Sequence, residues 1–285
     1  MITYNHEGYI RQAIESVLNQ SANFHFHLVI GEDNSTDNTR MICQEYATDH
    51  PEKIQLIVSD NNVGMMANFI RTLSACTGSY VAFLEGDDYW TDTGKLSKQV
   101  QFLEQHPEFS ACFHNVEVKM DRQGQKKEWM LHQQLEKDIF TTEDILNPWF
   151  IPSPSFMCVN YPDLNLPEWF YHCKYGDLPL MLLLSLRGPF KYLPEAMAVY
   201  RLHNTGMSIV HKQYDKIILM IYIYESFNIF TQHRFAGKIK DAQIYEIRRH
   251  VPPEDVHSPN AIKRPALSFQ RRALNKIKKL LHQSS

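Results

Sequence analysis

Tyr80-Val81-Ala82-Phe83-Leu84-Glu85-Gly86-Asp87-Asp88-Tyr89-Trp90 decides how the rest of the chain is read. Tyr80 to Leu84 are aromatic, β-branched or apolar, the composition of a buried strand. Glu85, Asp87 and Asp88 then crowd carboxylates around one glycine where that strand ends. In open α/β sheets, ligands bind at the C-terminal edges of the strands. Carboxylates this close repel one another unless solvent or a cation relieves them. A hard divalent cation suits the cluster, because Mg²⁺ takes one or two carboxylates and leaves positions for phosphate oxygens. Taken alone, the same residues also read as a solvated acidic turn, so the neighbouring sequence must decide.

On the N-terminal side, Met1–Asn5 reads as the tail of a strand, short enough that the reading expects a first strand cut short. Tyr9, Ile10, Ala13, Ile14, Val17 and Leu18 recur at helical spacing, with Asn5 or His6 and Glu7 as the expected cap. His25–Ile30 is a second strand, ending in the turn Gly31–Asp37, and a helix follows through Met41, Ile42, Glu45 and Tyr46. Ile54–Val58 is a third strand, Asn61-Asn62-Val63-Gly64 its turn, and Met65–Ala75 a helix leading into the quoted strand. Strands alternating with helices of this length mark a parallel α/β sheet.

On the C-terminal side, a helix is expected over Asp92–Gln105, a strand over Ser110–Lys119 and a hairpin tip or loop over Asp121–Lys127. Asn147–Pro167 is rich in proline and aromatic residues and reads as a loop lying over the sheet. Asp177 opens a short apolar helix through Leu186, and Gly188–His203 is extended. Helices are expected over Lys212–Gln232 and Lys240–His250, then a basic amphipathic helix over Ser268–His282 beyond Pro252-Pro253.

The 285 residues, 44% hydrophobic, can bury one large core. A formal charge of −3 argues against nucleic acid as a partner, yet it is unevenly spread. Ala261–Ser285 carries seven Lys or Arg and no acid, leaving 22 basic against 32 acidic residues, a formal −10, elsewhere. A basic tail on an acidic body suits an anionic partner, and its apolar stripe of Leu267, Leu274, Ile277 and Leu281 offers a peripheral membrane contact. The five cysteines show no C-x-x-C spacing and are expected to be free thiols. With no apolar run long enough to span a bilayer and no secretory leader pattern, the expected location is cytoplasmic, at most peripheral at the inner face of the membrane.

Three polar clusters fall at strand ends: Thr3–Glu7, Glu32–Asp37 and Glu85–Asp88. A parallel sheet brings such edges into one crevice. Neither a G-x-G-x-x-G fingerprint nor a G-x-x-x-x-G-K-[ST] loop is present, so bound phosphates would need a metal for neutralisation.

Thr3-Tyr4-Asn5, Glu32–Asp37, Asn62-Val63-Gly64, Glu85–Trp90, Gly176-Asp177 and Tyr200-Arg201-Leu202-His203 together resemble glycosyltransferase family 2, over roughly residues 1–205. The resemblance implies a GT-A, Rossmann-like fold: a mostly parallel sheet flanked by helices, with a C-terminal helical appendage over 206–285. It implies a metal-dependent, inverting transfer of a sugar from a nucleotide-diphosphate donor, UDP-linked by expectation, to a hydroxyl of a glycan or lipid-linked acceptor. Surface polysaccharide assembly is the implied setting. Thr3, Tyr4, Asn5, Glu7 and Asn62 would line the nucleotide, and Asp33 would accept a hydrogen bond from a pyrimidine N–H. Asp87 would face ribose or sugar, Asp88 and His203 would hold Mg²⁺ or Mn²⁺, and Arg201 would pair with the diphosphate or hold the loop. Glu85, where the family more often has aspartate, is left between a sugar hydroxyl and the metal.

Asp177 matches the catalytic base, although Gly176 stands where the family carries an acid. The bland reading of Asp177 is a helix N-cap. Two other functions compete: a non-catalytic nucleotide-sugar or glycan-binding module of the same fold, and a nucleotidyltransferase. The last should show a basic loop after the first strand, where this chain is acidic.

Overall fold

The computed structural model describes residues 1–122, 124–147, 150–204 and 213–250. Trp149, the residues around Gly206 and the basic segment Ser268–His282 therefore lie outside the described residues.

The first half is a βαβ alternation: β1 (Ile2–Thr3), α1 (Ile10–Leu18), β2 (Leu28–Glu32), α2 (Thr39–Asp49), β3 (Ile54–Ile57), α3 (Met65–Ser74) and β4 (Tyr80–Ala82). β2 pairs in parallel with both β1 and β3. A parallel bridge between Ile2 and Glu85 sets the end of the β4 segment beside β1. The chain thus builds outward from β1 to β3, then returns to the other side of β1. That reversal is the topological switch point at which such sheets bind ligands.

The second half comprises β5 (Tyr89–Trp90), α4 (Lys95–Gln105), β6 (Ala111–Arg122), β7 (Gln125–Met130), β8 (Ile139–Phe140), α5 (Thr142–Ile145), β9 (Met157–Val159), α6 (Glu168–Tyr171), α7 (Asp177–Ser185), β10 (Phe190–His203), α8 (Gln213–Phe230) and α9 (Ala236–His250). The sheet continues in the order β4-β9-β6-β10-β5, with β7 on β6 and β8 on β10. β6 and β10 are parallel, whereas β9 runs antiparallel to β4 and β6. The whole is an α/β sheet of the expected class with a mixed second half.

Three local expectations are corrected. The segment 147–167, expected to be a loop, supplies β9, which sits between β4 and β6. Its three strand residues are too few to stand out among prolines. β2 begins at Leu28 rather than His25 and runs into Gly31-Glu32. The cap expected of Asn5 or His6 on α1 is absent: Tyr9 occupies the N-cap with no side-chain cap bond.

Two apolar clusters cover the faces of the sheet, one under α1, α2 and α4, the other under α3, α5 and α7. α7 and α8 are apolar nearly all round, as befits buried helices. Ile223, Tyr224 and Phe227 of α8 share the second cluster with Leu182 and Leu183 of α7. The described part of the helical appendage is thus built into the core. All five cysteines are free thiols.

Candidate active site

The site grows from the contact between β1 and the end of β4. Gly86 N donates to Ile2 O at 3.0 Å. A side chain on Gly86 would put its Cβ 2.5 Å from Thr3 Oγ1 and 2.9 Å from His6 Nδ1, so only glycine lets the two segments close. Beyond Gly86 the chain enters β5, which pairs antiparallel with β10. That pairing delivers the end of β10 to the acidic turn. Arg201 N donates to Asp88 Oδ1 at 2.7 Å, and the Arg201 guanidinium donates to Asp87 O at 2.6 Å. His203 Nε2 hydrogen-bonds Asp87 Oδ2 at 2.9 Å, and His6 Nε2 approaches the same oxygen at 3.8 Å.

Glu85, Asp87 and Asp88 bring carboxylate oxygens within 4.8 Å of one another. Asp88 is 1% exposed. Asp87 Oδ1 and Asp88 Oδ2 are buried, with no hydrogen-bond partner among the described residues. Burial, with the charges of Asp87 and then Asp177, pushes Glu85 up to about 8. Burial, Asp87 and Glu85 likewise hold Asp88 well above the usual carboxylate range. Burial opposes the charged form of Asp87 too, but the hydrogen bond from His203 and the field of His6 prevail and hold it low. Two orphaned, buried, hard oxygen donors beside a third carboxylate fit Mg²⁺ or Mn²⁺.

Asp177 comes from 92 positions beyond Glu85 in the chain, yet its charge reaches the same pocket. Tyr200 is pushed up by burial and by Asp88, Glu85, Asp87 and Asp177 together. The N-cap of α7 is Gly176, and Asp177 is the first helical residue, which sets aside the N-cap reading of the aspartate. Gly176 has its own reason to lack an acid: any Cβ there would lie 2.5 Å from the Phe69 ring.

Several expected ligand-facing residues turn out to be committed to the protein. Asp33 Oδ1 and Oδ2 accept from Val63 N and Gly64 N at 2.8 and 2.9 Å, and Asn62 Nδ2 donates to Asp33 O. Asp33 and Asn62 therefore brace one turn. Asn5 Oδ1 accepts from Thr36 N at 2.8 Å and Glu7 Oε2 from Asn38 N at 3.0 Å, pinning the loop after β2. Asp37 accepts from Thr39 N at 2.9 Å, as a helix-start residue should. Thr3 is buried under Gly86, and Tyr4 is 42% exposed.

Arg201 also bonds Gln12 Oε1 and lies between the Tyr9 and Tyr89 rings, 5.2 and 4.4 Å from their centroids. These contacts tie Arg201 to the acidic turn, to α1 and to β5. His203, expected beside the metal, has its Nε2 2.9 Å from Asp87 Oδ2. Trp90 is packing, its indole N–H bonded to Pro154 O at 3.1 Å.

Sequence reasoning missed His6, although it lies inside the Thr3–Glu7 cluster. It also missed Ser153, whose hydroxyl is 3.4 Å from Glu85 Oε1 and which carries no local signal in its proline-rich segment.

This arrangement defines a GT-A glycosyltransferase fold with an acidic switch-point crevice. The sequence model of Glycosyl transferase family 2 matches residues 1–160, more than half of the chain, and the chain belongs to that family. An uncharacterised protein of Mycobacterium tuberculosis strain H37Rv is 37% identical over 213 residues, 72% of this chain. The chain spans 58% of the length of that relative. TuaG of Bacillus subtilis, named as a teichuronic acid biosynthesis glycosyltransferase, is 30% identical over 72% of this chain and 79% of its own. Among solved structures, S. aureus TarS in complex with UDP-GlcNAc superposes with a TM-score of 0.66 at 19% identity, covering 97% of this chain and 78% of TarS. The mannosyltransferase PcManGT of Pyrobaculum calidifontis, solved with GDP-Man and Mn²⁺, gives 0.59 at 14% identity over 99% of this chain and 77% of its own.

Proposed function

We propose that the chain is a metal-dependent, inverting glycosyltransferase that moves a sugar from a nucleotide-diphosphate donor to an acceptor hydroxyl. The observation that carries this reading is the Glu85, Asp87 and Asp88 cluster at the β1/β4 switch point, with the charge of Asp177 acting on Glu85. Glu85, Asp87 and Asp88 would hold the divalent cation, which supplies Lewis-acid stabilisation of the diphosphate leaving group. His203 and His6 keep Asp87 ionised and oriented. Asp33 and Asn62 shape the base pocket through the turn they brace, and Asp33 retains lone pairs for a ring N–H.

Asp177 accepts the proton of the acceptor hydroxyl as its oxygen attacks the anomeric carbon and the bond to the diphosphate breaks. A base cannot do this while ligating the metal, which is why it comes from a separate element. UDP is the favoured nucleotide because TarS is solved with UDP-GlcNAc, and surface polysaccharide is the favoured setting because TuaG is named for teichuronic acid. Among the described residues no helix is long and apolar enough to cross a membrane. We keep the peripheral membrane contact with the basic segment 261–285.

The test is nucleotide diphosphate release from a panel of nucleotide-sugars with Mn²⁺, with and without EDTA. Release should require metal, and Asp177→Asn should abolish it while leaving UDP binding by calorimetry intact. Undiminished release by Asp177→Asn would remove the base. Donor binding with no release on any acceptor would instead support a binding module without turnover.

A further inference from the structure

α9 carries apolar residues on two faces, and its packing uses only one of them. Ile239 and Ala242 turn into the core beside Phe235, and Gln243 Nε2 donates to Glu225 Oε2 of α8 at 3.2 Å. On the opposite side, Lys240, Ile244, Ile247 and Arg248 fall at i, i+4, i+7 and i+8, the spacing of a single helical stripe. All four are exposed, Ile244 at 36% and Ile247 at 39%, with Tyr245 beside them at 42%. One exposed isoleucine is ordinary on a protein surface. Two of them one turn apart, pointing away from the core with a cation before and after, make a second amphipathic surface.

The charge around that stripe is one-sided. From Arg234 to Arg249 the exposed cations are Arg234, Lys238, Lys240, Arg248 and Arg249, against one exposed acid, Asp241, since Glu246 is buried. Charge also chooses the occupant. Residues 261–285 carry seven Lys or Arg and no acid, and a second copy would bring its own cationic stripe, so either would add like charges. A lipid surface fits both halves of the stripe: anionic headgroups take the cations, while the isoleucines and Tyr245 enter the headgroup boundary. We infer that the outward face of α9 lies on an anionic phospholipid membrane. The inference extends the membrane contact of residues 261–285 to the folded body, and it stands without that contact and without the donor chemistry.

The test is cosedimentation of the full chain with vesicles of phosphatidylcholine alone and of phosphatidylcholine with phosphatidylglycerol. K240Q/R248Q and I244S/I247S, all at exposed positions, are compared with the parent protein, and K263Q/R264Q/R271Q/R272Q reports on the tail. The parent should bind the acidic vesicles alone, and added salt should weaken that binding. K240Q/R248Q should lose about thirtyfold in partitioning, at roughly 1 kcal/mol per cation near an anionic surface. I244S/I247S should lose about tenfold or more, because the apolar contact goes while every charge stays. Far-UV circular dichroism should match the parent in both α9 variants.

The proposal is overturned if the parent ignores acidic vesicles, if it binds neutral ones equally well, or if both α9 variants bind as the parent does. It also falls if fluorescein-labelled poly-glutamate binds through Lys240 and Arg248 while acidic vesicles do not, for then the partner is an acidic protein. A tail variant that loses binding while both α9 variants keep it leaves the contact to residues 261–285 and overturns the α9 face. A tail variant that binds as the parent does, with both α9 variants impaired, assigns the contact to α9 and withdraws it from the tail.

Discussion

Replacing Gly176 by alanine tests the geometry next to the proposed base. The new Cβ would sit 2.5, 2.7 and 2.7 Å from three atoms of the Phe69 ring, against the roughly 3.5–4.0 Å of relaxed carbon contacts. Something must therefore retreat by about 1 Å. The ring has little room, being 8% exposed and stacked on Phe83 at 6.1 Å between centroids. Overpacking of this kind costs about 1–3 kcal/mol. In a chain of this size that lowers Tm by roughly 2–4 °C per kcal/mol. If α7 yields instead of the ring, Asp177 moves with it, and a 1 Å displacement of a reacting group can cost about a hundredfold in rate.

Phe69→Ala alone leaves a cavity and is also destabilising, by up to about 3–5 kcal/mol. The pair Gly176→Ala/Phe69→Ala should fall short of the sum by roughly 1–3 kcal/mol, because the methyl enters the space the ring vacates. Thermal unfolding of all four proteins, with nucleotide release measured alongside, completes the cycle. A Gly176→Ala protein that melts with the parent, or a pair additive within about 0.5 kcal/mol, would refute the clash.

Two further predictions concern charge. Mn²⁺ at about a hundred times its dissociation constant should stabilise the protein by roughly 2.7 kcal/mol, and Asp88→Asn should lose that shift. Because burial and the neighbouring acids raise the Asp88 carboxyl, it favours the metal-free fold at low pH and loses that contribution as pH rises through the raised value. Asp88→Asn should therefore melt higher than the parent in EDTA at neutral pH; an unchanged Mn²⁺ shift in the variant would refute the assignment. Lys95 is fully buried, its ammonium 4.2 Å from the Trp90 ring and 2.6 Å from Gln99 Oε1, and burial lowers it to about 7. Between pH 7 and 10.5 the unfolded chain binds a proton that the fold lacks, so stability should rise with pH across that window. Lys95→Met should flatten the rise and stabilise the protein by a few kcal/mol at pH 7; denaturant titrations with identical pH slopes would refute this.

The sequence by itself determined the βαβ alternation, the switch-point carboxylates and the family, because each is written in short contiguous runs. Periodicity is local, and so is the abrupt change from Leu84 to Glu85. Tertiary structure decided which of those carboxylates are free for a ligand. Asn5, Glu7, Asp33 and Asn62 lie in loops at the strand ends, and their hydrogen bonds go to turns some 30 residues away in the chain. No local pattern encodes such a partner. The strand Met157–Val159 was hidden for a similar reason: its partners, Tyr80–Ala82 and Ala111-Cys112, are distant in sequence. His203 stood out in the sequence beside Arg201, but its bond to Asp87 was not legible there. That distinction belongs to the packing of β10 against the acidic turn, where burial makes every unpaired oxygen costly and leaves two of them facing inward.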